Sequence, residues 1–111
     1  MRKIERQMVE AIRNGRDMHV ANTRVLCNGN AWTVTLHGNL IAERTSDGIM
    51  RITLAGWNTP TTRSRVNAIL SAFSSCANTG YPWHISCRQF VPHLNGQPIG
   101  THEWVEVEGA A

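Results

Sequence analysis

The stretch Gly56-Trp57-Asn58-Thr59-Pro60-Thr61-Thr62-Arg63-Ser64-Arg65 combines a helix start, several hydroxyls, two arginines and a tryptophan. A helix N-terminus presents unpaired N–H groups and partial positive charge, which suit phosphate or carboxylate. The hydroxyls of Thr59, Thr61 and Thr62 add hydrogen-bonding groups, Arg63 and Arg65 add charge-assisted donors, and Trp57 offers a flat face to a base or sugar. These six residues describe a binding site for an anionic nucleotide-derived ligand. They also have a plain structural use, in which the threonines cap the helix, Trp57 fills the core at a strand end and the arginines are solvated. Geometry limits the first use: residues two apart on a helix are separated by about 200°, so Arg63 and Arg65 do not grip one phosphate from the same face. Arg63 at the frayed start can swing toward a ligand, whereas Arg65 serves a neighbouring subunit or a surface pair.

Other chemistries are less well supplied. Cys76, His84, Cys87, His93 and His102 are metal-ligand types, but their spacing matches no paired zinc pattern. The sequence has no Gly-x-Ser-x-Gly elbow, no His-Glu-x-x-His and no Walker loop. A Cys-His dyad of Cys87 with His93 or His102 requires a proximity that spacing does not supply. Glu103, Glu106 and Glu108 fit a charged strand edge better than paired-carboxylate catalysis. The expectation is therefore a protein that is not an enzyme, with no cofactor and no metal. Nucleic acid is the alternative partner: Arg2, Lys3, Arg6, Arg13 and Arg16 form a basic helical face, interrupted by Glu5, Glu10 and Asp17, and Trp32, Trp57, Trp83 and Trp104 include candidate stacking residues.

The elements that must position these groups follow from periodicity. Arg2 to Asn14 places Ile4, Met8, Ala11 and Ile12 at helical spacing, with Glu5, Arg6, Glu10 and Arg13 mostly on other faces and Gly15 as the stop. Met18 to Cys27 reads as extended, and Asn28-Gly29 turns into the alternating strand Ala31 to His37, with Trp32, Val34 and Leu36 toward the core. Gly38-Asn39 and Ser46-Asp47-Gly48 then delimit strands Leu40 to Thr45 and Ile49 to Leu54, giving a four-stranded antiparallel meander. A helix follows from Pro60 (capped by Thr59) or one turn later (capped by Thr62) to Ser75, with Val66, Ile69, Leu70 and Phe73 as its apolar stripe. Trp83 to Phe90 and His102 to Glu108 close the chain as a C-terminal β hairpin. The fold class is α+β: N-terminal helix, meander, second helix packed on the sheet, then the hairpin, in a single domain spanning 1–111.

Composition sets the surroundings. With 111 residues, 41% of them hydrophobic, the chain fills one core without staples. The three cysteines are irregularly spaced, as in reduced, buried thiols of a cytoplasmic protein. No apolar run approaches the ~20 residues of a membrane span, and the opening is amphipathic, unlike a signal peptide. The net charge is only +3, but ten of the eleven basic residues are arginine, which favours a phosphate-bearing partner.

The segments His37-Gly38-Asn39-Leu40-Ile41-Ala42 and Gly56 to Leu70, with the opening Met1-Arg2-Lys3-Ile4-Glu5-Arg6-Gln7-Met8, resemble small accessory proteins of tailed bacteriophages over roughly the first two-thirds of the chain. The resemblance implies a viral protein acting in the cytoplasm of an infected bacterial host. The expected function is a non-enzymatic binder that sequesters an anionic nucleotide-like small molecule, with a counter-defence role. The alternatives are a nucleic-acid-binding module, recognisable by a continuous basic surface, and an inhibitor of a host protein, recognisable by exposed apolar area with aromatic or arginine anchors. A homo-oligomer stays open.

Overall fold

A computed structural model describes residues 2–109. Helix α1 (Lys3–Arg13) buries Met8, Val9, Ala11 and Ile12 and ends where Gly15 takes a positive φ and Arg16 N–H returns to the Ala11 carbonyl. Five strands follow: β1 (Met18–Val20), β2 (Thr23–Asn28), β3 (Ala31–Leu36), β4 (Asn39–Arg44) and β5 (Met50–Ile52). Helix α2 (Pro60–Phe73) comes next, then β6 (Ile85–Arg88), β7 (Val91–Leu94), β8 (Gln97–Pro98) and β9 (Val105–Val107). The architecture is α+β, as periodicity predicts.

Two departures from the sequence expectation concern strand partners. The extended run Met18 to Cys27 folds back on itself at Ala21-Asn22, so β1 and β2 pair with each other. The closing strand leaves the hairpin: β6 pairs with β7 and β7 with β8, while β9 crosses back to pair with β5 and completes a six-stranded sheet in the order β1-β2-β3-β4-β5-β9. Met50 and Ile52 face Val107 and Val105 across that pairing, so the short β5 gains a second apolar neighbour. Local alternation specifies a strand, but it does not specify which edge the strand joins.

Val34 and Leu36 on β3, Ile52 and Leu54 at and beyond β5, and Val66, Ile69 and Leu70 on α2 are fully or nearly fully buried in one cluster that also draws on α1, β6, β7 and β9. Phe73, the end of the expected stripe, is half-buried, with its ring 5.7 Å from that of Trp32 and the Arg13 guanidinium over it. A register shift between Val34 and Thr35 marks a bulge against β4, and it turns the consecutive residues Ile41 and Ala42 both into the core.

Among the described residues, the core also holds one ion pair. Glu5, expected on a solvated face, is buried on α1, and its Oε2 lies 2.8 Å from Nη1 of Arg65 on α2, both side chains about 5% exposed or less. Ser64 Oγ donates to the same oxygen at 2.6 Å, and Arg65 Nε donates to Thr23 Oγ1 on β2 at 3.1 Å. The pair thus joins both helices to the sheet. A buried guanidinium requires such partners, because an unpaired charge in the interior costs several kcal/mol.

Two outcomes follow for stability. Leu70→Ala should lower the unfolding free energy by about 2–5 kcal/mol in chemical denaturation, since Leu70 is wholly buried. Glu5→Ala should cost about 3–5 kcal/mol by stranding the Arg65 charge, and the Glu5→Leu/Arg65→Met double variant should lose less than either single change. Additive losses in that double-mutant cycle would refute the coupling.

Candidate functional site

In an antiparallel meander, alternate connections lie at the same end of the sheet. The β1–β2 turn, the β3–β4 turn and the link from β5 to α2 therefore meet, and the start of α2 closes over them. Between them opens a cleft of about 540 Å³ lined by Asn22, Leu36, His37, Asn39, Ile41, Leu54, Trp57, Thr59, Thr61 and Thr62. Leu36, Ile41 and Leu54 form an apolar floor, and Trp57, 58% exposed, stands at the rim.

The backbone that presents Trp57 is tightly specified. Ala55 and Gly56 both have positive φ, and Trp57 N–H donates to the Leu54 carbonyl at 2.8 Å, closing a tight turn. A Cβ at Gly56 would also stand 2.4 Å from the His102 ring, so that exposed side chain would have to swing aside. Thr59 caps α2 with Pro60 at the first helical position, so the earlier of the two expected starts is the one used. Thr59 Oγ1 accepts from Thr62 N–H at 3.2 Å and lies 2.9 Å from Thr62 Oγ1, so these two hydroxyls satisfy each other. Pro60 has no N–H, and that of Arg63 reaches the Thr59 carbonyl. Thr61 N–H is the first-turn donor left for an incoming acceptor.

The structure divides the six residues expected from sequence. Trp57, Thr59, Thr61 and Thr62 line the cleft together. Arg63 does not: its Nη1 donates to Asn58 Oδ1, and the side chain lines a groove on the other side of the helix start. Arg65, expected beside a phosphate, a neighbouring subunit or a surface pair, is instead enclosed with Glu5 and Thr23. The rotation of about 200° between the two positions sends one arginine outward and the other into the core.

Asn22, His37 and Asn39 carry polar chemistry to which the sequence reading gave no site role, placing Asn22 in an extended run, His37 at a strand end and Asn39 in a turn. His37, expected at the end of a strand, occupies the β3–β4 turn with φ 52°, and its N–H donates to the Asn22 carbonyl at 2.8 Å. Hydrogen-bond polarity reaches this ring from the core. Arginine only donates, so Thr23 Oγ1 accepts from Arg65 and must donate onward, to Asn22 Oδ1 at 3.0 Å. The Asn22 amide then turns its Nδ2 toward His37 Nε2 at 3.4 Å. In the neutral ring Nε2 is the acceptor of this chain, and Nδ1–H is the donor.

The alternative chemistries have less geometry behind them. Among the described residues, no group of three or more His, Cys, Asp or Glu is placed to hold a metal ion. Cys87 pairs with Pro92 and His93 with Ser86 across β6–β7, so Cys87 and His93 point to opposite faces of the hairpin. His102 packs on Gly56. The thiols differ in environment: Cys76 is buried and Cys87 is exposed, contrary to a uniform buried set. Cys27 is half-buried, and burial first, with the Asp17 charge second, pushes its thiol up from the ordinary range.

A family model described as Kyanoviridae Gp96 protein matches residues 1–110. The chain belongs to this phage protein family. The match extends through the last third of the chain, beyond the segments that carry the phage resemblance in the sequence. No curated protein and no solved structure matches the chain. No helix among the described residues of this Gp96-family protein is long and apolar enough to cross a membrane.

The hydrogen-bond chain makes a spectroscopic prediction. Long-range ¹H–¹⁵N NMR of the neutral His37 ring should show the Nδ1–H tautomer. Thr23→Val, which keeps the shape and removes the hydroxyl, should give a tautomer mixture and cost about 1–3 kcal/mol through the orphaned Arg65 donor. An unchanged tautomer in that variant would disconnect the ring from the core.

Proposed function

We propose that this member of the Gp96 family is a small, non-enzymatic phage accessory protein that sequesters a nucleoside-derived ligand in the cleft beside α2. The observation that carries the reading is the convergence of Trp57, Thr59, Thr61 and Thr62 on one cleft with the polar side chains of Asn22, His37 and Asn39. An apolar floor with a few directed polar groups and one exposed indole suits a planar heterocycle bearing hydrogen-bonding edges. A base would lie against Trp57 and the floor, with its edge toward Asn22, Asn39 and His37.

The placement of the arginines narrows the ligand. With Arg63 turned to Asn58 and Arg65 committed to Glu5, negative charge in the cleft is met by the α2 dipole, Thr61 N–H and side-chain hydrogen-bond donors and by neither arginine. Such a site favours a nucleoside, a monophosphate or a cyclic nucleotide over di- and triphosphates, whose extra charge needs fixed cations. Sequestering a nucleotide signal of the host's antiviral defence, in the cytoplasm of the infected cell, is the role that matches such a binder in a phage family.

Calorimetric titration with nucleosides and with mono-, di-, tri- and cyclic nucleotides tests the reading. Saturable binding should be strongest for ligands with one phosphate or none. Trp57→Ala should weaken it by about 0.5–1.5 kcal/mol, the scale of an aromatic contact. Arg65→Met should act on stability, and Arg63→Ala should leave nucleoside affinity unchanged. Absence of binding across the panel would refute the proposal.

A further inference from the structure

The chain carries no Asp or Glu from Gly48 through His102. That span contains all of α2 and the whole three-stranded sheet β6-β7-β8, so the face they build together carries cations and no carboxylate of its own. Between α2 and β6 runs an open groove of about 540 Å³, on the far side of the helix start from the cleft, with Arg63, Ser64, Asn67 and His84 along it. Among the described residues, the one carboxylate in its lining is Glu5, which α1 contributes, and that group is buried and committed to Arg65 and Ser64. Its withdrawal removes an interruption that the sequence suggested, and leaves Arg2, Lys3 and Arg6 exposed on the turn of α1 around it.

One end of this face is an aromatic tip. Gln89 and Phe90 connect β6 to β7 with φ of 51° and 65°, the two left-handed residues of a tight hairpin turn. The next turn of the same sheet, Asn95-Gly96, uses the residues that such φ values favour. Gln and Phe are poor choices there, since a left-handed backbone brings the Cβ of an L-residue too close to the following carbonyl oxygen. The Phe90 ring brings no compensating burial, being 95% exposed. The tip is nevertheless held in place: Asn58 Nδ2 donates to the Phe90 carbonyl at 3.0 Å, while Asn58 Oδ1 accepts from Arg63. Arg88 is exposed at the base of the same turn.

We propose that this face binds single-stranded nucleic acid, with bases stacking on Phe90 and phosphates following Arg63, Arg88 and the exposed cations at the start of α1. Charge complementarity selects an anionic occupant. The protruding phenyl ring selects one whose flat apolar faces are open, which single strands have and stacked duplexes do not. The site is separate from the cleft and does not depend on the ligand proposed for it.

Fluorescence anisotropy with a labelled oligothymidylate, an oligouridylate of equal length and the matching duplex tests the proposal. The single strands should bind more tightly than the duplex, with affinity falling steeply as salt rises. Arg88→Ala should reduce the slope of log K against log salt by about 0.7. Phe90→Ala should weaken binding about tenfold or more, and Phe90→Trp should retain it. Phe90→Gly gives the sharpest separation: by relieving the positive φ it should raise the unfolding midpoint while losing the strand, an outcome that a purely structural Phe90 would not give. Bound oligonucleotide should also slow alkylation of the exposed Cys87, whose Sγ lies 3.7 Å from Asn58 Nδ2, and leave Cys27 and Cys76 unaffected. Nucleoside binding in the cleft should be unchanged in Phe90→Ala, which keeps the two sites distinguishable. Failure of the folded protein to bind any oligonucleotide at low salt, equal affinity for the duplex, or indifference to Phe90→Ala would overturn the proposal, and the first of these would leave an acidic protein as the occupant to seek.

Discussion

The Glu5–Arg65 pair is the interaction on which the rest of the structure depends. It lies where α1, α2 and β2 meet, and each element supplies a part that the others cannot replace: the carboxylate, the guanidinium with the neighbouring Ser64 hydroxyl, and the Thr23 hydroxyl. Apolar packing alone would let the two helices slide over the sheet by small steps at modest cost, because hydrophobic contact is not directional. A buried charge does not allow that freedom, since a displaced Arg65 loses its partner in a medium that cannot solvate it. The pair therefore fixes how far and at what rotation α2 lies against β2, and through it the position of the helix start.

That position creates the cleft. The turns after β1 and β3 and the link after β5 share one end of the sheet, and α2 begins beside them with its Thr59 cap. The hydrogen-bond chain Arg65–Thr23–Asn22–His37 carries direction from the core outward, because a donor-only group at one end leaves each following member a single role. A core ion pair thus sets the orientation of an amide and an imidazole at the cleft rim. The bulge in β4 contributes at the floor, by placing Ile41 among Leu36 and Leu54.

Arginine has three distinct uses within a short distance. Arg65 is an internal tie, Arg63 braces Asn58 and through it the hairpin tip, and Arg88 faces solvent at that tip. The two proposed surfaces lie on either side of the α2 start and differ in chemistry accordingly. The cleft is apolar with directed neutral polar groups, whereas the groove and tip are cationic and aromatic.

Much of this was legible in the sequence. Alternation and helical spacing determined the α+β class, both helices and the part of the core that β3, the end of β5 and α2 supply, since these depend on local periodicity and on the transfer of apolar surface from water. The helix start was readable to within one turn, because both Thr59 and Thr62 offer a local cap; the structure uses Thr59-Pro60, and four of the six expected site residues follow that start into one cleft. Tertiary structure decided what depends on contacts between residues distant in the chain. It paired β9 with β5, drew Glu5 inward to meet Arg65 60 residues away, and brought Asn22 and His37 to the helix start. A charged residue in a sequence pattern defaults to solvent, because its burial is favourable only when a partner of opposite charge waits at the same place in space, and no local pattern carries that information.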